Sequence, residues 1–535
     1  MPIKIKRWNC FSATTYNYNY GGDLTNVVYS DGMTPNVTNS YDRLGRLGSV
    51  NWTNITDTMT YNLANELLGE SFSSGVLNGL SVTNGFDTYL RRTNLTARAS
   101  GVLSRTAYGY DAASRLSTVS DGTNNAAYSY LANSPLVSQI LFKQNSTTRM
   151  TTTKTYDLLN RLTQVSSAPG ASYTLPLAFN YSYNVANQRT HNTLADGSYW
   201  IYGYDSLGQV TNACKYFADG TAVAGQQFDY SFDTIGNRTQ TKAGGDQTGS
   251  NLRSANYYAN NLNQLTNRDV PAYVDIMGAS ILSNSVTVNG STAYRKGEYF
   301  RQQLAANNAS SALWTNIIVS GGLNVTGNVY VAKQPEVFKY DADGNLTNDG
   351  RFAYIWDGEN RLTKMVVNTN VGPQYTLNFS YDYQGRRIQK MVSTNSVGIY
   401  TNRFLYDGWN VVAEVNPASS LVRSYVWGTD LSGSQQGAGG VGGLLAVSYY
   451  GSTTTNCFVA YDGNGNVAGL INAADGTIAA NYEYAAFGEP IRITGVMAKN
   501  NPFRFSTKYA DDESDLLYYG YRYYKPSTGT WLESV

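Results

Sequence analysis

An all-β fold built from repeated hairpins is what this sequence predicts. Three observations carry that reading: a Tyr-Asp phrase that recurs along the chain, aromatic residues spaced two apart ahead of it, and a polar fraction that is mostly uncharged. The phrase reads YDRLGRL at Tyr41, FDTYLRR at Phe86, YDAASRL at Tyr110 and YDLLNRL at Tyr156. It returns as YNVANQR at Tyr183, YDSLGQV at Tyr204, FDTIGNR at Phe232, YDADGNL at Tyr340 and WDGENRL at Trp356. Further copies are YDYQGRR at Tyr381, YDGWNVV at Tyr406 and YDGNGNV at Tyr461, with weaker ones at Tyr61 and Tyr130. Such spacing fits one supersecondary unit per repeat.

Each part of the phrase has a physical reading. Trp200, Tyr202 and Tyr204 lie two apart, as do Phe352, Tyr354 and Trp356, which is the period of a strand with one aromatic face. Asp follows where the chain leaves the strand, and its carboxylate can accept turn N–H groups. Gly or Asn three residues on (Gly45, Gly208, Gly236, Gly344, Gly385) supplies positive φ. The return strand breaks parity, since Leu362 and Met365 are three apart, which predicts a bulge or burial on both faces. One hairpin is marginal in water, so a series must pair edge to edge into a long, coiling sheet with an inward aromatic lining.

Composition bounds the rest. At 535 residues the chain exceeds one ordinary core, and 14% charged residues is well below the usual quarter. A net charge of +1 leaves no basic field for nucleic acid or anionic lipid. Three cysteines (Cys10, Cys214, Cys457) are odd in number and far apart, and read as small buried hydrophobes. The single histidine, His191, reads as an exposed strand residue and leaves no His cluster for zinc. No apolar run reaches the roughly 18 residues of a membrane span. The basic start, MPIKIKRWNC, lacks the apolar stretch of a secretion signal, so export by another route or a missing beginning is expected.

The rhythm breaks twice. Residues 270–336 carry β-rich text without the phrase, and RKGEYFRQQLAANNASSALW within them reads as a short helix or an irregular crossing. SGSQQGAGGVGGLL is glycine-dense and reads as a flexible boundary loop. The expected organisation is a hairpin array at 1–269, an insertion at 270–336, more array at 337–430 and a closing module at 431–535.

These residues resemble a known family. The Tyr-Asp phrases are similar to the YD repeats of Rhs proteins. LSGSQQGAGGVGGLLAV, YDGNGNVAGLINAADGTIAANYEYAAFGE and NPFRFSTKYADDESDLLYYGYRYYKPSTGTW resemble the Rhs repeat-associated core. The resemblance implies a spiral β-sheet shell, as in bacterial polymorphic toxins, toxin-complex C subunits and teneurins, enclosing a C-terminal toxin. It also implies a self-cleaving aspartyl site beyond the closing phrase. This chain departs from the pattern at Lys525 and Thr530 and stops at Val535, so no protease residue is carried over and a truncated core is expected.

The remaining chemistry reads as structural. DADGN at Asp341 and DGNGN at Asp462 lack glycine at the sixth position of a calcium loop. GAGGVGG lacks the Lys-Ser/Thr of a phosphate loop. Asp511, Asp512, Glu513 and Asp515 form the densest acid cluster, and paired carboxylates can do acid–base work or cleave glycosides, but between two aromatic strands they read as a solvated turn. The Asn-x-Thr triplets at Asn51, Asn54 and Asn94 read as strand and turn residues. The expectation is therefore a non-catalytic, secreted or cell-surface shell with no catalytic residue, metal or cofactor. Its partner would be its own C-terminal toxin or effector. The alternative is an adhesion module that binds glycans through outward tyrosines.

Overall fold

The hairpin phrase builds the whole molecule. The computed structural model describes residues 3–6 and 13–533, apart from 172–173, 282 and 323, so Cys10 lies outside the described residues. Among the described residues there is no α-helix, only strands and two 3₁₀ turns, Gly75–Leu77 and Phe505–Thr507. Each strand from Ile3–Lys6 to Leu265–Arg268 pairs antiparallel with the next, and Glu336–Val337 completes a 24-stranded meander. A second meander of 14 strands runs from Lys339–Tyr340 to Pro490–Thr494.

One copy shows why the phrase folds. The Asp157 carboxylate accepts the backbone N–H groups of Leu159 and Arg161 at 2.9 and 3.0 Å, while its second oxygen takes Arg161 Nε at 2.6 Å. Asn160 sits at φ 61°, the left-handed position that Gly45 and Gly385 fill elsewhere. The Tyr156 hydroxyl donates to the Val137 carbonyl at 3.0 Å, on the hairpin before it. Arg161 then lies 4.8 Å over the ring of Tyr183, in the hairpin after it. Each copy is thus latched backwards by its phenol and forwards by its guanidinium, a nearest-neighbour coupling suited to a repeat array. The latch recurs at Tyr61 to Leu47, Tyr110 to Arg92, Tyr381 to Leu362 and Tyr461 to Leu444.

The parity break is a bulge. The pairing register shifts at the phrase tyrosine itself, between Ser40 and Tyr41, Thr155 and Tyr156, and Ser380 and Tyr381. The extra residue turns the tyrosine so that its hydroxyl reaches the neighbouring strand. Tyr156→Phe is expected to lose one such bond and about 1 kcal/mol of stability, read from the urea midpoint.

The segment after Arg268 leaves the sheet and forms two small sheets of its own, then rejoins at Glu336–Val337. The stretch read as a helix or irregular crossing holds no helix: Tyr299–Ala305 is a strand paired with Tyr273–Ala279, and irregular chain follows over 306–312. Tyr299 and Phe300 are buried there, and that burial decides for the strand. The array resumes with little interruption, since Phe338 N–H donates to the Thr266 carbonyl at 2.9 Å and Tyr340 latches onto Leu265 at 3.0 Å.

The two meanders coil so that their aromatic faces meet. A single hydrophobic cluster joins Val50, Trp52, Phe142 and Met150 of the first to Leu362, Phe404 and Phe458 of the second. Trp52 Nε1–H donates to the Tyr381 carbonyl at 3.2 Å, Arg92 pairs with Asp407, and Phe142 packs on Phe458 at 5.2 Å. This is the all-β, coiled hairpin architecture the sequence predicts.

Candidate functional site: the closing module and the interior cavity

The tyrosine-dense end forms a four-stranded sheet of its own: Tyr509–Asp511, Leu516–Tyr518, Tyr523–Lys525 and Thr530–Trp531. Its rings plug the interior. Tyr523 shares a hydrogen bond with the Tyr381 hydroxyl at 2.8 Å, Tyr518 accepts from Arg387 N–H at 2.8 Å, and Tyr509 packs edge-on against Phe404 at 5.6 Å. The module also ties the two meanders together. Arg238 and Arg268 of the first donate to the Thr528 and Ser527 carbonyls at 2.8 and 2.7 Å, and Leu346 N–H of the second donates to Leu532 O at 2.7 Å.

Charge drives the docking. Of the acids read as a solvated turn, Asp512 and Asp515 are exposed on a turn as read, but Asp511 and Glu513 are held in ion-pair clamps. Asp511 is fully buried, held by Arg387 at 2.6 Å and Lys390 at 2.8 Å, and Lys390 reaches Glu513 at 2.6 Å. Asp512 pairs with Arg504 at 2.6 Å and Asp515 with Arg351 at 3.0 Å. Burial alone would raise the Asp511 carboxyl, but Arg387 and then Lys390 outweigh it and hold it below the usual range. Lys525 is clamped likewise by Asp349 at 2.6 Å and Glu336 at 3.2 Å.

The glycine-dense loop is pinned as well. Asp430 Oδ2 accepts Ala438 and Gly440 N–H at 2.7 and 3.1 Å, Gly442 N–H donates to Thr507 Oγ1 at 2.8 Å, and Lys508 donates to Gly439 O at 2.7 Å. Its glycines permit positive φ at Gly439, Gly440 and Gly442, where close packing on Asn410 and Leu431 leaves little room for a Cβ. The loop is a fastening between the second meander and the closing module.

A cavity of about 820 Å³ lies where strands 177–204 face strands 467–492. Phe179, Trp200, Tyr202 and Tyr484 line it with rings, and Asn192 and Arg492 with polar groups. On its wall, Glu483 sits between Lys215 at 2.6 Å and Arg492 at 3.2 Å, and accepts the Tyr299 hydroxyl at 2.8 Å. Burial would raise Glu483, yet Lys215 and Arg492 bring it down to about 2. Glu298 pairs with Arg492 at 2.9 Å, and Asp462 accepts Asn464 and Asn466 N–H at 2.8 and 3.0 Å. Glu483 and Glu298 are thus held in ion pairs, while Asp462 is held by its turn N–H groups and burial keeps its carboxyl above the usual range. The cavity's volume suits a small molecule, for which pockets run roughly 300–1,000 Å³. A folded domain of 100 residues, with a radius of gyration of about 13 Å, needs on the order of 10⁴ Å³.

The other flagged residues fall as follows. Asp341 and Asp462 fold their own turns, and among the described residues no cluster of three acid, cysteine or histidine ligands exists. Cys457 is buried and Cys214 half-buried, both as free thiols. His191 lies on a strand as read, but is half-buried and stacked 4.8 Å from Tyr199. Asn51 and Asn94 lie on strands and Asn54 in a turn. Sequence reasoning missed further turns of the same construction, among them those at Asn260, Asn416 and Ala485, where no Asp marks the start of the turn. It also missed Asp57 and Glu70, two buried acids side by side on one face of a hairpin. Neither Asp57 oxygen meets a hydrogen-bond partner.

These features define a class: an all-β hairpin-repeat scaffold closed by an aromatic, charge-clamped module. No protein-family model matches the chain. The tRNA3(Ser)-specific nuclease WapA of Bacillus spizizenii is 33% identical over 200 residues, covering 37% of this chain and 8% of that protein. The tRNA nuclease WapA of Bacillus subtilis is 32% identical over the same shares. Double-stranded DNA deaminase toxin A of Burkholderia cenocepacia is 30% identical over 226 residues, 39% of this chain and 16% of that protein. The chain thus covers less than a fifth of these curated relatives. Among solved structures, a TcdB2-TccC3-Cdc42 crystal structure aligns with 98% of this chain and 29% of its own, at 14% identity and a TM-score of 0.41. The Photorhabdus luminescens Tc holotoxin pore gives 14% identity and 0.40. Among the described residues no helix is long and apolar enough to cross a membrane.

Proposed function

We propose that this chain is a non-catalytic structural scaffold of a secreted, Rhs-type bacterial toxin protein, and that it presents an effector rather than enclosing one. The relatives are named for nuclease and deaminase activities, while the matched stretch is a small share of each. That pattern supports a toxin-associated segment that holds no toxin chemistry itself. The observation that carries the reading is the packing of the two meanders on one another. Where their aromatic faces meet, the cavity beside them, about 820 Å³, is too small for a folded domain. An effector joined to this scaffold therefore sits outside its packed core.

The test is a compact reporter domain appended after Val535. Protease is expected to remove the reporter as fast as it digests the free reporter, leaving residues 13–533 intact. Protection of the reporter tenfold or more would favour enclosure, and diffuse cutting of the array would sink the scaffold reading. The glycan-binding alternative gains nothing from the fold. The latched tyrosines face inward, and highly exposed ones such as Tyr20 and Tyr89 sit singly at loop tips.

A further inference from the structure

Every phrase turn of the first meander lies on one edge of the sheet, because strands alternate in direction and the phrase follows every second strand. The residue one or two places after the Asp or Asn stands at the tip of each turn. At these tips the chain repeatedly places a large apolar side chain in water. Leu63, Leu158 and Val185 are fully exposed, and Leu207, Ile235 and Leu262 are at least 68% exposed. Leu44 and Tyr89 continue the row. The turns at Asp111 and Leu131 carry only Ala112, Ala113 and Ala132 at their tips, so the unbroken run is the five from Leu158 to Leu262. Single exposed leucines are ordinary, but five successive hairpins that each carry an aliphatic tip are not.

The second meander handles the same position differently. Its tips are polar, as at Glu359 and Asn464, or they are covered: Trp409 packs on Tyr521 at 4.4 Å and Phe487 on Tyr230 at 4.7 Å. Within this molecule, then, an apolar tip is a docking knob, and those of the first meander have nothing against them.

We propose that this row of loop tips is a self-association seam that takes a second copy of the chain. Strands lie about 4.8 Å apart, so one knob per hairpin repeats every ~10 Å, with a gap that admits one aliphatic side chain. A partner that interdigitates along several knobs must share that pitch, and a two-fold-related copy of the same edge does. Each aliphatic tip contributes roughly 60–120 Å² of apolar area. The five successive tips thus bring roughly 300–600 Å² per partner, below the ~800 Å² of a standard interface and in the range of a weak, concentration-dependent dimer. Charge does not oppose the contact. The arginines beside the knobs are neutralised by their own turn acids, Arg46 by Asp42 and Arg161 by Asp157, and the net charge is +1.

Sedimentation equilibrium of the whole chain between about 1 and 100 μM tests the seam. The wild type is expected to form a dimer. The triple variant Leu158→Asp, Val185→Asp, Leu207→Asp is expected to weaken association at least tenfold with an unchanged unfolding midpoint. A matched triple, Leu158→Met, Val185→Ile, Leu207→Met, should retain it. A wild type that stays monomeric at 100 μM, or an aspartate variant that associates as before, overturns the proposal. So does a monomeric wild type that binds neutral phosphatidylcholine vesicles, since the knobs would then serve a lipid surface.

Discussion

Asp511→Ala is expected to lower stability by about 3–5 kcal/mol, because it strands the buried Arg387 guanidinium and leaves Lys390 with Glu513 alone. Arg387 and Lys390 are both buried, and the Arg387 guanidinium is walled by Phe379, Phe404, Tyr509 and Tyr518 at 4.6–5.4 Å. Those rings offer some cation–π attraction, and the Tyr523 hydroxyl at 3.5 Å is a weak substitute for the lost carboxylate. The sign of the pH effect follows from the lowered carboxyl. Its stabilisation is present above the unfolded value near 3.8 and is lost as pH falls through the lower folded value. Asp515→Ala is the control, since that carboxylate pairs with Arg351 while staying 77% exposed. A surface pair of this kind contributes roughly 0–1 kcal/mol. Urea midpoints of both variants at neutral pH decide the matter, and equal losses would remove the clamp from the account of how the module docks.

The same residues show what the sequence made legible. The phrase carried the local fold because all its chemistry is local. Asp157 reaches residues two and four places on, Asn160 needs only its own φ, and even the parity break reports the bulge. Asp511 and Glu513 were misread because their counter-ions lie more than a hundred residues away, on the strand Arg387–Thr394. Without a partner in view, four acids in a row look like a solvated turn. The glycine-dense loop failed in the same way, since Asp430 is local but Thr507 and Lys508 are not. Tyr299–Ala305 is a third case. Its amphipathic text suits helix or strand, and the fold chose strand when Tyr299 found Glu483 of the second meander. The cavity left no sequence signal, because it is the space where two distant stretches fail to touch.

Asp57→Asn is expected to act in the opposite direction and stabilise the protein at neutral pH. Asp57 is wholly buried beside Glu70, and it faces Asp382, Tyr383 and Arg386 of the second meander. Burial is the main force that pushes its carboxyl up to about 8, with Glu70 adding repulsion and Arg386 relieving only part of it. Below about pH 4 the acid is protonated whether folded or unfolded, so it carries no penalty. As pH climbs from there towards 8, the unfolded chain releases the proton and the folded chain keeps it, so stability falls by up to ~1.4 kcal/mol per pH unit. Relaxation around the pair reduces that slope, and a gain of roughly 2–4 kcal/mol at pH 7 is the expected effect of the substitution. An amide left short of partners costs the same at every pH, so the readout is the difference between wild-type and variant urea midpoints at pH 4 and pH 7. That difference should open with pH. If the two profiles run parallel, Asp57 is ionised and compensated in the fold, and the two meanders meet there through a charge pair rather than a neutral acid.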